Sequence, residues 1–270
     1  PQPISAGLSI DQKKNLRFIP YNDIKKTKNI LDKIKKNVNC IIVEPIMGSF
    51  PSHKSENYLK FLYKYCNRNK ILLVFDEIIT GFRSEKGSVQ NKLKLKPDIT
   101  IIGKVLGGGF PIGAIGITKK ISNLIKKNSK KVIFGGTFSA NSFSIYAGLN
   151  VLNFIQKNKN LIKNLIIKSK KFENRINSFI KKNEIDAWVY RYDTLIRLVF
   201  SKKQIKSRVQ RDFLEKNKSL KIKNFKKFLF KNKIYYPPSG IIFFSNASKD
   251  KNIEYIINSF CQGLYKYFKK

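Results

Sequence analysis

Acidic residues are scarce in this chain of 270 residues: 17 Asp and Glu stand against 55 Lys and Arg, for a formal charge of +38. Such a balance ordinarily points to nucleic acid or another anionic surface. Arginine is scarce as well, with only eight, so 47 of the basic residues are lysine. A groove that reads nucleic acid leans on arginine for bidentate and stacking contacts. The lysines are scattered through helical stretches such as KNKNLIKNLIIKSKKFENRINSFIKKN (157–183). They read as solvated faces of amphipathic helices, and no specific nucleic-acid partner is expected.

Cysteine is limited to Cys40, Cys66 and Cys261, odd in number and without a CxxC pair, which excludes a disulfide framework and a zinc site. The single histidine, His53, sits among Pro, Ser and Lys in a loop and reads as exposed rather than catalytic. No apolar run reaches the roughly 18 residues of a membrane span, and no signal-peptide pattern precedes the first element. These absences predict a soluble, cytoplasmic protein with no membrane partner and no metal. Residue 1 is Pro, the only methionine is Met47, and PQPISAGLSIDQKKNLRFIPYND reads as loop and turn. The chain is therefore expected to be the interior of a longer one.

What is present is organised. Short β-rich runs at VNCIIVEPI (38–46), ILLVFDEI (71–78), DITIIGKV (98–105) and IGAIGIT (112–118) alternate with helical or glycine-rich segments. That alternation predicts an α/β fold with a mostly parallel sheet and helices on both faces. SENYLKFLYKYCNRNK carries Tyr58, Leu59, Phe61, Leu62 and Tyr65 at helical spacing, with Ser55 as its N-cap. Beyond residue 150 the pattern changes to long lysine-rich helices, a strand at TLIRLVFS (194–201), one helix near DFLEKNKSLKIKNFKKFLFKN, then IIFFS and a last helix. A first domain over 1–150 and a smaller α+β domain over 151–270 follow, bridged by a helix from about Ser142 to Gln156.

Ligands of open α/β sheets gather at the carboxyl ends of strands. Glu44, the pair Asp76 and Glu77, and Lys104 all fall at such ends. Lys104 is delivered by an apolar strand into VLGGGFPIGA, whose glycines let backbone approach a flat ligand. A partly desolvated lysine is a usable amine nucleophile and base. Phosphate-loop motifs fail: Gly103 and Lys104 are followed by Val105 where a Walker loop needs Ser or Thr, and a GxGxxG from Gly107 meets Ile112. Taken singly, Lys104 reads as one snorkelling lysine among many, and Asp76 as a cap or a partner of Arg83.

Together VFDEIITGFR, PDITIIGKVLGGGFPIGAIG and GGTFSANSFSIYAGL resemble the core of class III (subgroup II) pyridoxal-phosphate aminotransferases of fold type I. FIPYND, VEPIMGS and IYYPPSG are most similar to the branch holding glutamate-1-semialdehyde 2,1-aminomutase and its aminotransferase relatives. The resemblance is strong up to about residue 150 and weaker after it. It implies pyridoxal 5'-phosphate as cofactor, held covalently by Lys104 as the catalytic residue, with Asp76 at the pyridine nitrogen and Ile78 on one ring face. It implies that Thr137 reaches the cofactor phosphate of a neighbouring subunit in a homodimer with shared active sites, and that Glu44 and Glu77 belong to the framework.

By the same resemblance the phosphate loop, the second stacking aromatic and the N-terminal substrate segment lie upstream of Pro1, so 1–150 is the C-terminal part of the large domain. The aminomutase branch carries an acidic residue and a histidine near the C-terminal strand, where this chain reads PPSGIIFFSNASKD. The aminotransferase reading, with a small amino or keto substrate, is therefore the stronger of the two. The alternative is a non-catalytic truncated family member or a basic scaffold for polyanions.

Overall fold

Three of the four apolar runs become neighbouring parallel strands in a computed structural model of the chain, which describes residues 14–127, 132, 135–202, 205 and 207–269. The opening segment up to residue 13 lies outside the described residues. Strands β1 (Cys40–Val43), β2 (Leu72–Asp76) and β3 (Ile99–Ile102) pair in parallel, and β4 (Ala114–Ile117) runs antiparallel at the edge, in the order β1-β2-β3-β4. The register pairs Val43 with Phe75 and Asp76 with Ile101. Each strand stops short of the apolar run that announced it, because Glu44, Glu77 and Lys104 leave the ladder for loops at one edge of the sheet.

Helices α1 (Ile24–Ile34) and α2 (Ser55–Asn69) cover one face. Tyr58, Leu59, Leu62, Tyr65 and Cys66 of α2 pack with Leu31 of α1 and with Ile41, Val43, Leu73 and Phe75 of the sheet. Side chains alternate along a strand, so Ile42 points to the opposite face, where it remains 66 % exposed. Ser55 is not the N-cap expected from the sequence. Lys54 holds that position, and Ser55 is a buried first-turn residue whose hydroxyl accepts from Asn22 Nδ2 at 3.2 Å. A tertiary partner has outcompeted the local cap.

The short α3 (Val89–Leu93) and α4 (Lys119–Lys127) flank the strands, and α5 (Ser142–Lys157) matches the expected helix, opened by Asn141 accepting from the Ser144 N–H at 3.2 Å. It lies against a 3-10 turn at Lys104–Gly107, close enough that a Cβ on Gly148 would sit 3.1 Å from the Leu106 carbonyl oxygen.

The second half is built on α6 (Leu161–Lys182) and a three-stranded antiparallel sheet, β5 (Trp188–Tyr192), β6 (Leu195–Val199) and β7 (Ile241–Ile242). β6 is the strand expected at TLIRLVFS. Its hairpin partner β5 was not expected from WVYRY, where Tyr190 and Arg191 blur the alternation. Pairing along its whole length with β6, from Trp188↔Val199 to Tyr192↔Leu195, makes it a strand. The stretch 212–232, expected as one helix, splits into α7 (Arg208–Lys216) and α8 (Ser219–Lys231). Between them Lys218 turns inward and donates to the Phe200 carbonyl at 2.6 Å and to Asp186. IIFFS contributes only the two residues of β7, and α9 (Asp250–Phe268) ends the fold.

Ile196 and Leu198 on one face of β6 pack with Phe172, Ile176 and Ile180 of α6, Phe225 and Leu229 of α8 and Phe260 of α9. The other face looks at the first half. Leu195 and Tyr192 join the core under the first sheet, and Val199 packs with Phe50 and Ile205. The hairpin turn is anchored there: Asp193 takes Lys92 Nζ at 2.7 Å and the Glu85 N–H at 3.0 Å, and Thr194 donates to the Arg83 carbonyl at 2.7 Å. Among the described residues no helix is long and apolar enough to cross a membrane.

Candidate functional site

The carboxyl edge of the first sheet collects the residues that matter. β2 ends on Asp76, half-buried, whose Oδ1 accepts from the Ile78 N–H at 3.0 Å. That bond curls the chain back on itself and leaves Oδ2 without a partner among the described residues. One strand over, β3 ends just before Lys104, and the Asp76–Ile101 pairing puts the two ends side by side. Lys104 is exposed and its amine has no hydrogen bond or ion pair among the described residues.

The Lys104 backbone is left-handed, φ +47°. Other lysines share that region as helix C-caps, Lys70 and Lys94 among them. Lys104 adopts it at the start of its 3-10 turn, where no helix needs ending, at a cost of about 1 kcal/mol. Gly103 before it has no side chain to separate the two strand ends. A Cβ there would lie 3.5 Å from the Ile112 oxygen and 3.8 Å from Ile78 Cγ2. Ile78 therefore lies beside the lysine loop.

Glu77 points the other way. It is wholly buried and takes the Thr80 hydroxyl at 2.7 Å and the Val89 and Gln90 N–H groups at 3.0 and 2.9 Å. The carboxylate therefore ties the loop after β2 to the start of α3, a framework role. The loop itself needs Gly81, since a Cβ at that position would be 2.8 Å from the Glu77 carbonyl oxygen. Burial pushes the Glu77 carboxyl group above its ordinary value, only partly offset by the donors from Gln90, Thr80 and Val89. Its contribution to stability is then full below the ordinary glutamate value and is lost as pH rises through the higher folded-state value. The melting midpoint of the parent protein is expected to fall across that rise, while Glu77→Gln shows no such component. Parallel pH profiles for the two proteins would sink this assignment.

Glu44, at the end of β1, accepts from the Gly48 N–H at 3.1 Å and shapes the loop that follows. Arg83 makes no ion pair with Asp76. It donates to the Ile79 carbonyl at 2.9 Å and lies over the Phe243 ring at 4.6 Å, because the bend after Asp76 turns it toward the second half. Thr137 lies in an exposed turn before α5 and makes no hydrogen bond to another site residue among the described residues. His53 is exposed, 3.6 Å from Glu56. No group of three or more His, Cys, Asp or Glu able to hold a metal occurs among the described residues. Reading the sequence missed Arg197, a buried cation on β6 whose only signal was a charge inside an apolar strand.

The chemistry of this edge fits a pyridoxal-type ring. It offers an unengaged carboxylate oxygen for a protonated ring nitrogen, an unengaged amine for an aldehyde, and an aliphatic side chain beside a glycine for a flat face.

Comparison with known proteins gives the same direction. Residues 8–223 match the model of the class-III aminotransferase family. A glutamate-1-semialdehyde 2,1-aminomutase from Methanococcus maripaludis is 33% identical over 263 residues, covering 95% of this chain and 60% of the relative. One from Methanocaldococcus jannaschii is 34% identical, covering 88% of this chain and 54% of the relative. Among solved structures, an omega-transaminase from Sphaerobacter thermophilus superposes with a TM-score of 0.83 at 21% identity, over 97% of this chain and 60% of that one. A glutamate-1-semialdehyde-aminomutase from Pseudomonas aeruginosa gives 0.80 at 15%, over 93% and 57%. At those identities the structural likeness establishes the fold. The chain spans about 60% of the length of the first of these curated relatives.

Proposed function

The chain belongs to the class III aminotransferase family, and on that premise we propose that its protein uses pyridoxal 5'-phosphate to move an amino group. The transfer is within one molecule, as in glutamate-1-semialdehyde 2,1-aminomutase, or between an amino and a keto compound. The observation that carries the reading is the placement of Asp76 and Lys104 at adjacent carboxyl ends of parallel strands, each with its functional atom unengaged. The curated names of the relatives favour the aminomutase form, and PPSGIIFFSNASKD, which has neither the acid nor the histidine in the matching place, favours the transferase form.

Bound cofactor supplies an electron-withdrawing ring that stabilises negative charge at the substrate carbon next to nitrogen. Lys104 Nζ would hold the cofactor through its aldehyde carbon and, as a free amine, would carry a proton to and from the substrate carbon. Asp76 would hold the proton on the ring nitrogen, and Ile78 would pack on one ring face. Residues 1–150 form part of the cofactor domain and 151–270 the smaller domain. Thr137, exposed beside Phe138, Phe143 and Tyr146, serves the cofactor phosphate of a second copy in a homodimer. The setting is cytoplasmic, in keeping with three free cysteines.

The test is cofactor titration followed by visible absorbance. The parent protein is expected to develop the yellow band, and Asp76→Asn to bind about tenfold more weakly or worse, with an altered spectrum, since an amide cannot hold the ring-nitrogen proton. An Asp76→Asn protein with unchanged affinity and spectrum would remove Asp76 from the site.

A further inference from the structure

Arg197 is a buried cation whose side chain is only partly hydrogen-bonded. It stands on β6 between Leu195 and Val199, on the face turned toward the first half, and is only 8% exposed. Its Nη1 donates to the Ser239 carbonyl, while its buried Nε has no partner and Nη2 donates to nothing among the described residues. Among the described residues it forms no ion pair with a carboxylate. The Nε–Nη2 edge is the side of a guanidinium that takes two oxygens at once.

Its surroundings are charged but spoken for. Arg211, Lys226, Asp212, Glu215 and Tyr236 face it from α7, α8 and the turn before β7. Glu215 accepts from the Phe200 N–H at 3.1 Å and lies 3.7 Å from Arg211 Nε. Asp212 is taken by Arg211 and, at 3.4 Å, by Arg208. Lys226 adds a third cation, donating to the Pro238 carbonyl at 3.1 Å. Burial, and then the nearby Arg211 charge, act against the protonated guanidinium.

The turn Pro237–Gly240 fits around this group. Gly240 takes φ +71°, and a Cβ there would lie 3.1 Å from Arg197 Cζ. The backbone is thus pressed to the guanidinium at a position where only glycine is at ease. A groove of about 440 Å³ lined by Lys226, Tyr236 and Pro238 opens next to the same turn. A buried cation with a donor left unpartnered is costly, and a hydrophobe of similar reach would relieve that cost. An anion at the free edge would offset it.

We infer that the seam between the two sheets holds an oxyanion-binding site centred on the free edge of Arg197, with the Ser239–Gly240 turn and Lys226 at its rim. The ligand class is a carboxylate or a phosphate, whose paired oxygens the guanidinium edge matches equally well. This inference does not depend on amino-group transfer.

The test uses the whole protein without pyridoxal phosphate, so that it fails or succeeds independently of the function proposed above. Succinate and inorganic phosphate are titrated calorimetrically at fixed ionic strength, with chloride as control, into the parent, Arg197→Met and Arg197→Lys. The parent is expected to bind one of the two oxyanions and not chloride. Arg197→Met should weaken that binding about 10- to 100-fold, the value of charge-assisted hydrogen bonds, with Arg197→Lys between the two. Succinate binding identifies a carboxylate, phosphate binding a phosphoryl group. In anion-free buffer Arg197→Met should melt no lower than the parent, and added oxyanion should raise the parent's midpoint alone. Absence of binding to the parent, a response shared with chloride, or equal affinity in Arg197→Met would each overturn the site. So would a lowered midpoint of Arg197→Met with no oxyanion effect on the parent, which would mark Arg197 as structural.

Discussion

Lys104→Ala is expected to lose covalent cofactor attachment completely and turnover by about 10⁴-fold. The figure is the upper end of what one general acid–base group contributes, and it applies because the same amine is also the anchor. Borohydride reduction of the parent with pyridoxal phosphate should leave the label on the peptide containing Lys104 alone, although 46 other lysines compete. The selectivity comes from position: β3 delivers this amine to the strand end beside Asp76, free of ion pairs. Lys104→Arg should fare no better than alanine, since a guanidinium stays protonated and forms no imine. Label spread evenly over surface lysines, or retained turnover in either variant, would sink the function.

Phe172→Ala is expected to destabilise the protein by about 3–5 kcal/mol. Phe172 has no exposed surface and meets Phe260 edge-on at 5.2 Å and Phe244 at 5.7 Å. Alanine leaves a cavity that α6, α9 and the segment after β7 cannot jointly close, and it removes two aromatic contacts worth about 0.5–1.5 kcal/mol each. Since domains are stable by only about 5–15 kcal/mol, a urea midpoint should register the loss clearly. Phe172→Leu, which keeps most of the volume, should cost distinctly less. Equal midpoints for the alanine and leucine variants would show that this cluster does not bear on stability as its burial implies.

The first sheet was legible because each of its strands is a dense apolar run broken by polar loops, and a parallel strand buried on a covered face needs little else to declare itself. Asp76 and Lys104 stood out by their place at strand ends only together with the resemblance, because a charge directly after such a run also has structural uses, as Glu44 and Glu77 show. β5 was not legible, because WVYRY becomes a strand by pairing with β6 rather than by its own pattern. The break between α7 and α8 was hidden too. Nothing local stops a lysine-rich helix at Asn217, and it is the pull of Phe200 O and Asp186 on Lys218 that does so.

Local sequence alone therefore determined which segments form the parallel sheet, which side chains end its strands, and the family to which those endings belong. Tertiary structure decided what each polar group at the edge is engaged with. Asp76 and Glu77 are neighbours of identical charge, yet one keeps a free oxygen and the other is consumed by Thr80, Val89 and Gln90. It also decided that Arg197, an ordinary charge in the sequence, is buried with its Nε unpartnered among the described residues. The physical reason is that hydrophobic pattern is carried by residues close in the chain. Compensation of a charge depends on groups brought together across it, as Arg197 is with Ser239 and Gly240.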